Sequence, residues 1–326
     1  MSRPVVVVTR RLPDRVEAVL AERFDAHFNR TDAAMSASAL ADALRTADGV
    51  LCTVTDRFTA QHFAVSGRRA KVLANFGVGV NHIDLAAAKA AGVIVTNTPG
   101  VLTDDTADVA LALILMTMRR LGEGERLLRT GAWSGWRPMF MLGHSPRDKV
   151  LGIVGYGRIG RAVARRAQAA LGMRVQWWSP RDPKVDGPDD AGPSDAVRVD
   201  TLEELLRTSD VVSLHCPSTA ETRHLMNAER LRLMPPHALL INTARGDIVD
   251  EHALVQALRE RAIAGAGLDV YEFEPTVLPD LREFEQVVLL PHMGTSTVET
   301  RVAMGECAVR NLTAALAGEV PPDRVA

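Results

Sequence analysis

The sequence predicts an α/β protein built from two doubly wound parallel sheets, and three observations carry that prediction. Short apolar, β-branched runs alternate with helical patterns through nearly the whole chain, as expected of parallel strands covered by helices on both faces. A glycine-rich turn, Gly155-Tyr156-Gly157-Arg158-Ile159-Gly160, joins one such run to a helix pattern. A break at Thr98-Pro99-Gly100 divides the alternation into two sets. The length of 326 residues allows two domains, each with its own core.

The first set places strands at residues 5–9, 49–53, 71–75 and 93–97. The opening run is too short for a secretory signal and reads as a buried strand. Residues 83–91 are alanine-rich and helical, and Gly92 stands where a C-terminal helix glycine belongs. After the break, Thr103-Asp104-Asp105 offers caps and negative charge to a helix running to about residue 120. The first domain crossing is expected here.

Residues 121–146 lack a clear strand and carry apolar side chains that read as exposed: Trp133, Trp136, Met139, Phe140, Met141 and Leu142. Such a patch is a liability on a monomer, so residues 120–148 are expected to form a homodimer interface. The alternative is a loop packed on its own domain. The second set of strands is expected at 150–154, 174–178, 211–215, 239–242, 266–270 and 287–290. Residues 180–193 read as a surface loop, and residues 298–316 as a long amphipathic helix.

Composition excludes several classes of function. A net charge of −2 without a long basic run gives no reason to expect nucleic acid or an anionic membrane. The most apolar helix candidate, residues 109–118, falls far short of the roughly 20 residues that span a bilayer. Cys52, Cys216 and Cys307 are odd in number and scattered, which suggests neither disulfides nor zinc. A reducing cytoplasm fits best, and no metal is expected.

The glycine-rich turn follows the strand at 149–154 and opens the helix pattern at 161–171, the context a dinucleotide site needs. Gly155 permits the tight turn, Gly157 allows backbone approach to a pyrophosphate, and Gly160 allows close helix–strand packing. An acid ending the next strand would bind the ribose 2′-hydroxyl of NAD. Here Ser179 occupies that position, followed by Pro180, Arg181 and Asp182. A 2′-phosphate carries about −1.5 to −2 charges. One like charge at about 4 Å would cost on the order of 4 kcal/mol at an effective dielectric of 20. Loss of the acid and gain of Arg181 favour NADP, with NAD as the alternative; Asp182 is the contrary sign.

Three further segments place a charged or protonatable residue after a strand: Arg245 in Asn242-Thr243-Ala244-Arg245-Gly246-Asp247, Glu274 in Leu268-Asp269-Val270-Tyr271-Glu272-Phe273-Glu274-Pro275, and His292 in Leu289-Leu290-Pro291-His292-Met293-Gly294. With the glycine-rich turn and the loop Asn75-Phe76-Gly77-Val78-Gly79-Val80-Asn81-His82-Ile83-Asp84, these make five ordered motifs. Over nearly its whole length the chain resembles the D-isomer-specific 2-hydroxyacid dehydrogenases. It is most similar to their glyoxylate/hydroxypyruvate reductases, notably in residues 101–108 and in Gly131-Ala132-Trp133-Ser134-Gly135-Trp136-Arg137-Pro138. It departs from the family at Met293-Gly294-Thr295-Ser296-Thr297, where a Gly-Ser pair is usual, and at Asn81.

The resemblance implies a Rossmann cofactor domain, residues 100–290, inserted into a flavodoxin-like substrate domain of residues 1–99 and 291–326, with the active site in the cleft between them. It also implies the site residues. Arg245 would pair with the carboxylate of a small 2-oxo or 2-hydroxy acid, helped by the backbone amides of Val78 and Gly79. His292 would exchange a proton with the substrate oxygen as hydride moves to or from the nicotinamide. An ordinary histidine has a pKa of about 6.5, and Glu274 would favour the imidazolium and orient the ring.

Asp269 would contact the nicotinamide amide, and Thr106 and Thr243 would line the cofactor with Arg158 and Ile159 of the turn. Trp136 would reach the partner subunit's substrate pocket or simply pack in the interface. His144, His215 and His237 read as structural, His215 being also counted among the cofactor-lining residues. The expected activity is NADPH-dependent reduction of glyoxylate or hydroxypyruvate. A dehydrogenase of another acid such as D-lactate, and a nucleotide-sensing protein of the co-repressor type, are the alternatives.

Overall fold

A computed structural model describes residues 3–183 and 190–326. The chain forms two compact units, Met1–Leu102 with Ser296–Ala326, and Thr103–Thr295. The crossings thus lie three and five residues beyond the expected positions. The helix beginning at Thr103 falls wholly in the second unit, and backbone hydrogen bonds tie the segment after Pro291 to Asp269 of that unit.

The first unit holds strands β1 (Val5–Val8), β2 (Asp25–Phe28), β3 (Gly49–Thr53), β4 (Val72–Phe76) and β5 (Ile94–Thr96). They form one parallel sheet in the order β2-β1-β3-β4-β5, the flavodoxin-like arrangement. Every residue of β4 is buried, as expected of a central strand covered on both faces. By contrast, β2 (Asp-Ala-His-Phe) is a half-exposed edge with no apolar run, so the pattern of hydrophobicity does not reveal it.

Helices α1 (Asp14–Arg23), α2 (Ala37–Thr46), α3 (Ala60–Phe63) and α4 (Leu85–Ala90) connect these strands. Gly92 follows α4 at φ 69°, and Val93 donates back to the Ala88 carbonyl at 2.9 Å, closing the helix end.

The second unit contains β6 (Val150–Val154), β7 (Arg174–Trp178), β8 (Val197–Arg198), β9 (Val211–Leu214), β10 (Leu239–Asn242), β11 (Gly265–Leu268) and β12 (Val287–Leu289). All pairings are parallel, in the order β12-β11-β10-β9-β6-β7-β8. Counted from β6 this is the Rossmann order with one added strand, and its switch point lies between β6 and β9. Separate apolar clusters cover the two faces of the sheet.

Its helices are α5 (Thr103–Met118), α6 (Leu121–Arg129), α7 (Arg158–Leu171), α8 (Leu202–Thr208), α9 (Ala228–Leu233) and α10 (Glu251–Arg259). Arg166 of α7 bridges Asp104 and Asp108 of α5 at 2.8 and 2.6 Å, fixing the helix that follows the glycine-rich turn. The helix α11 (Val298–Leu316) returns to the first unit, where Gly305 admits Val16 of α1 at a distance no Cβ would tolerate.

Residues 121–146 are not all loop, since α6 occupies their first part. Beyond it Trp133, Trp136, Met139 and Leu142 are exposed, and Phe140 is half-buried beneath Arg137. Of the expected loop at 180–193, residues 184–189 lie outside the described residues. Among the described residues no helix is long and apolar enough to cross a membrane.

Candidate active site

The second unit gathers its candidate residues at the C-terminal ends of its strands. Gly155 has φ 92°, and a Cβ there would lie 2.6 Å from the Cys216 nitrogen beyond β9, so only glycine fits. A Cβ on Gly160 would strike the Gly155 carbonyl at 2.4 Å, whereas one on Gly157 would meet nothing within 4 Å. Gly157 is the N-cap of α7, and among the described residues no side chain caps that helix end. The buried Arg161 donates to the Tyr156 carbonyl at 2.8 Å and steadies the turn from below.

Arg245 follows β10. The Asn242 side chain shapes its loop by donating to the Arg245 carbonyl at 2.8 Å and accepting from the Ala244 N–H at 3.0 Å. Gly246 packs so tightly on the Tyr271 carbonyl that the loops after β10 and β11 abut. Burial draws the Arg245 guanidinium below its usual pKa, against the opposing charges of Glu274 and Asp247. It stays cationic at any pH the protein meets.

Glu274 accepts from the Tyr271 N–H at 3.0 Å through Oε1 and meets Nδ1 of His292 at 2.8 Å through Oε2. It therefore caps its own loop and orients the imidazole at once. Burial raises its pKa, but the His292 hydrogen bond and charge, the Tyr271 amide and Arg245 outweigh burial and hold it below the ordinary value. His292 Nε2 makes no hydrogen bond among the described residues. Its backbone sits at φ 54°, a conformation costly to a side-chain-bearing residue and typical of functional positions.

Asp269, at 1% exposure, takes the Met293 and Gly294 amides on its two oxygens at 2.6 and 2.8 Å. Burial raises its pKa more than those amides lower it. Thr106 lies beside Gly294, within 4 Å of where a Cβ would stand. Thr243 is buried, and its hydroxyl has no partner among the described residues.

His215 bonds Ser213 at 2.8 Å, and burial draws its pKa down to about 4, so the ring is neutral at neutral pH. His237 bonds Asp210 at 2.9 Å and, with His144, borders a cavity of about 450 Å³ that contains none of the candidate residues. Ser179 follows β7, Arg181 is exposed, and Asp182 pairs with Arg198 of β8. Arg198 also lies over the Trp177 ring at 5.3 Å. Trp136 is 80% exposed.

In the first unit, asparagine side chains hold the carbonyls of the loop after β4. Asn75 Nδ2 donates to the Gly77 and Gly79 carbonyls at 2.9 and 3.0 Å, and Asn97 Nδ2 donates to the Val78 carbonyl at 2.9 Å. With three successive carbonyls held, the N–H groups of Val78 and Gly79 have no acceptor among the described residues. Such a run of free amides is an anion-binding concavity.

Sequence reasoning missed Asn97 and Arg198, and also Arg223 and His224, which clamp Glu272 at 2.9 and 2.8 Å. Asn75 opens a motif singled out in the sequence, which was a usable signal. The others reveal themselves only through contacts made far along the chain.

The sequence model of the NAD-binding domain of D-isomer specific 2-hydroxyacid dehydrogenases matches residues 111–294. The chain belongs to the D-isomer-specific 2-hydroxyacid dehydrogenase family. Within that family it is 41% identical to the glyoxylate reductase of Thermococcus litoralis, over 99% of this chain and 97% of that one. The solved glyoxylate reductase of Paecilomyes thermophila superimposes with a TM-score of 0.86 at 31% identity, covering 100% of this chain and 99% of the other. The NADPH-dependent glyoxylate/hydroxypyruvate reductase of Sinorhizobium meliloti, solved with NADP and malonate, gives 0.83 at 36% identity, covering 100% and 97%.

A dinucleotide, the ligand of this family's domain, fits the residues present. The open face of Gly157, the uncapped start of α7 and the partnerless Thr243 hydroxyl are the features such a ligand would complete.

Proposed function

We propose that the protein reduces a small 2-oxo acid, glyoxylate or hydroxypyruvate, to the 2-hydroxy acid (of D configuration where the product is chiral) with NADPH as reductant. The observation that carries this reading is the Glu274–His292 pair at 2.8 Å, with Nε2 free and the Arg245 cation electrostatically coupled to Glu274. Relatives named glyoxylate reductase and glyoxylate/hydroxypyruvate reductase, at 31–41% identity, support the substrate class.

Arg245 takes the substrate carboxylate in its fork and draws charge from the adjacent carbonyl. The Val78 and Gly79 amides of the first unit are a second set of donors suited to a carboxylate. Glu274 holds a proton on Nδ1 of His292, so Nε2 is the nitrogen that gives its proton to the carbonyl oxygen. The reduced nicotinamide, when bound, supplies the hydride to the carbonyl carbon. Asp269 keeps the His292 segment in place, while Thr106, Thr243, His215 and the turn from Gly155 to Gly160 line the cofactor.

The preference for NADPH rests on Ser179 in place of an acid and on Arg198 engaging Asp182, the acid that would otherwise serve NADH. The exposed Trp133, Trp136, Met139 and Leu142 support a homodimer. Three free cysteines suit a reducing cytoplasm.

The test is NADPH and NADH oxidation with glyoxylate, hydroxypyruvate and pyruvate. The reading expects the highest kcat/KM with NADPH and one of the first two acids, and loss of most of it in Arg245→Ala. Dinucleotide binding without turnover of any acid would instead favour a nucleotide-sensing protein.

A further inference from the structure

We infer that Asn75 and Asn97 are positioning residues for substrate, their carboxamides holding the Gly77, Val78 and Gly79 carbonyls so that the Val78 and Gly79 amides face one carboxylate. This rests on the functional reading above and extends it to two residues that would not themselves touch the ligand.

Asn75 is fully buried at the end of β4. Its Nδ2 meets two carbonyl oxygens, a role only an NH2 group can fill, so the orientation of the carboxamide is fixed. Its Oδ1 is matched by His82 Nε2 at 3.1 Å, leaving the side chain satisfied on both sides. A peptide plane has its N–H opposite its C=O, so holding the Gly77 carbonyl aims the Val78 N–H, and holding the Val78 carbonyl aims the Gly79 N–H.

Two further contacts secure the arrangement. The Thr98 N–H reaches the Gly77 carbonyl at 3.1 Å, and the carbonyl of Asn97 receives the Asn311 carboxamide at 3.2 Å. The loop is thus pinned from β4, from the segment after β5 and indirectly from α11. Val78 is nonetheless 37% exposed, so the loop is rigid on one side and open on the other. That is how a preorganised anion site is built, since donors already aimed lose little freedom on binding.

The test measures KM for glyoxylate, KM for NADPH, and the Kd of oxalate, an unreactive dicarboxylate, in wild type, Asn97→Ala, Asn75→Leu and Asn75→Asp. Losing one holding bond in Asn97→Ala should raise the glyoxylate KM and the oxalate Kd about three- to tenfold, and Asn75→Leu about tenfold or more. The NADPH KM should stay within about twofold in both.

Asn75→Asp keeps the acceptor for His82 but loses the donor. Its defect should shrink relative to wild type from about pH 8 to about pH 5, as the introduced carboxyl gains a proton to donate. The Asn75→Leu defect should not change with pH. Unaltered glyoxylate KM and oxalate Kd in Asn97→Ala and Asn75→Leu would overturn the inference, as would equal changes in acid and cofactor KM. Absence of turnover by the wild type would strike the functional reading instead, and oxalate binding would still report on the loop.

Discussion

Asp269 accepts the backbone N–H of His292 on its carbonyl at 2.8 Å while its carboxylate takes the next two amides, Met293 and Gly294. One residue thereby fixes the backbone of His292, the proposed proton donor, which sits at φ 54°. That conformation costs roughly 1–2 kcal/mol, and hydrogen bonds to a charged acceptor contribute about 1.5–3 kcal/mol each, enough to offset it. In Asp269→Asn one of the two amides loses its acceptor. The expected result is a fall in kcat of about a hundredfold with a lower melting temperature. A kcat within twofold of wild type would show that His292 is held some other way.

Glu251 makes a prediction about stability. It is 2% exposed, accepts the Glu272 N–H at 2.8 Å through Oε1, and has an Oε2 without a partner among the described residues. Burial raises its pKa, with Glu272 and Glu274 adding to the effect. A raised folded-state pKa means stability that is full below the unfolded value, about 4.3, and lost as pH climbs through the folded one. Glu251→Gln keeps the acceptor and removes that loss. Its melting temperature should exceed that of wild type at neutral and higher pH, and the difference should vanish below about pH 4. Equal melting curves at every pH would contradict this.

Arg198 and Asp182 form an exposed pair, so the effect of breaking it is small. Releasing Asp182 in Arg198→Ala should lower the ratio of kcat/KM with NADPH to that with NADH by about two- to fivefold. Asp182→Ala should move the ratio in the opposite direction. Shifts of the same sign in both variants would remove Asp182 from the specificity argument.

Met139 and Leu142 are 80% and 56% exposed on the segment after α6. If that segment joins two copies, the double substitution Met139→Glu and Leu142→Glu buries charge in the contact. Sedimentation should then give a dimer for wild type and a monomer for the variant. A monomeric wild type would leave those side chains as ordinary surface.

The main strands were legible because parallel strands covered on both faces must be apolar throughout, as in the runs at Leu239–Asn242 and Val150–Val154. The sheet edges were not: β2 lacks an apolar run, and β8 is two exposed residues, Val197 and Arg198. The proximity of Glu274 and His292 could be expected from their places after neighbouring strands. Asp269 was expected at the cofactor; the structure shows that both of its oxygens serve backbone amides, a contact across 24 and 25 positions that no local pattern encodes. The same holds for Asn97 and Val78, 19 residues apart.

In the proposed reaction His292, oriented by Glu274, moves the proton to a 2-oxo acid. The most direct measurement is single-turnover reduction of glyoxylate by NADPH in His292→Ala, with NADPH affinity measured alongside. The expected result is a chemical step slower by about 10²–10⁴-fold with unchanged NADPH binding. A rate within about threefold of wild type would contradict it.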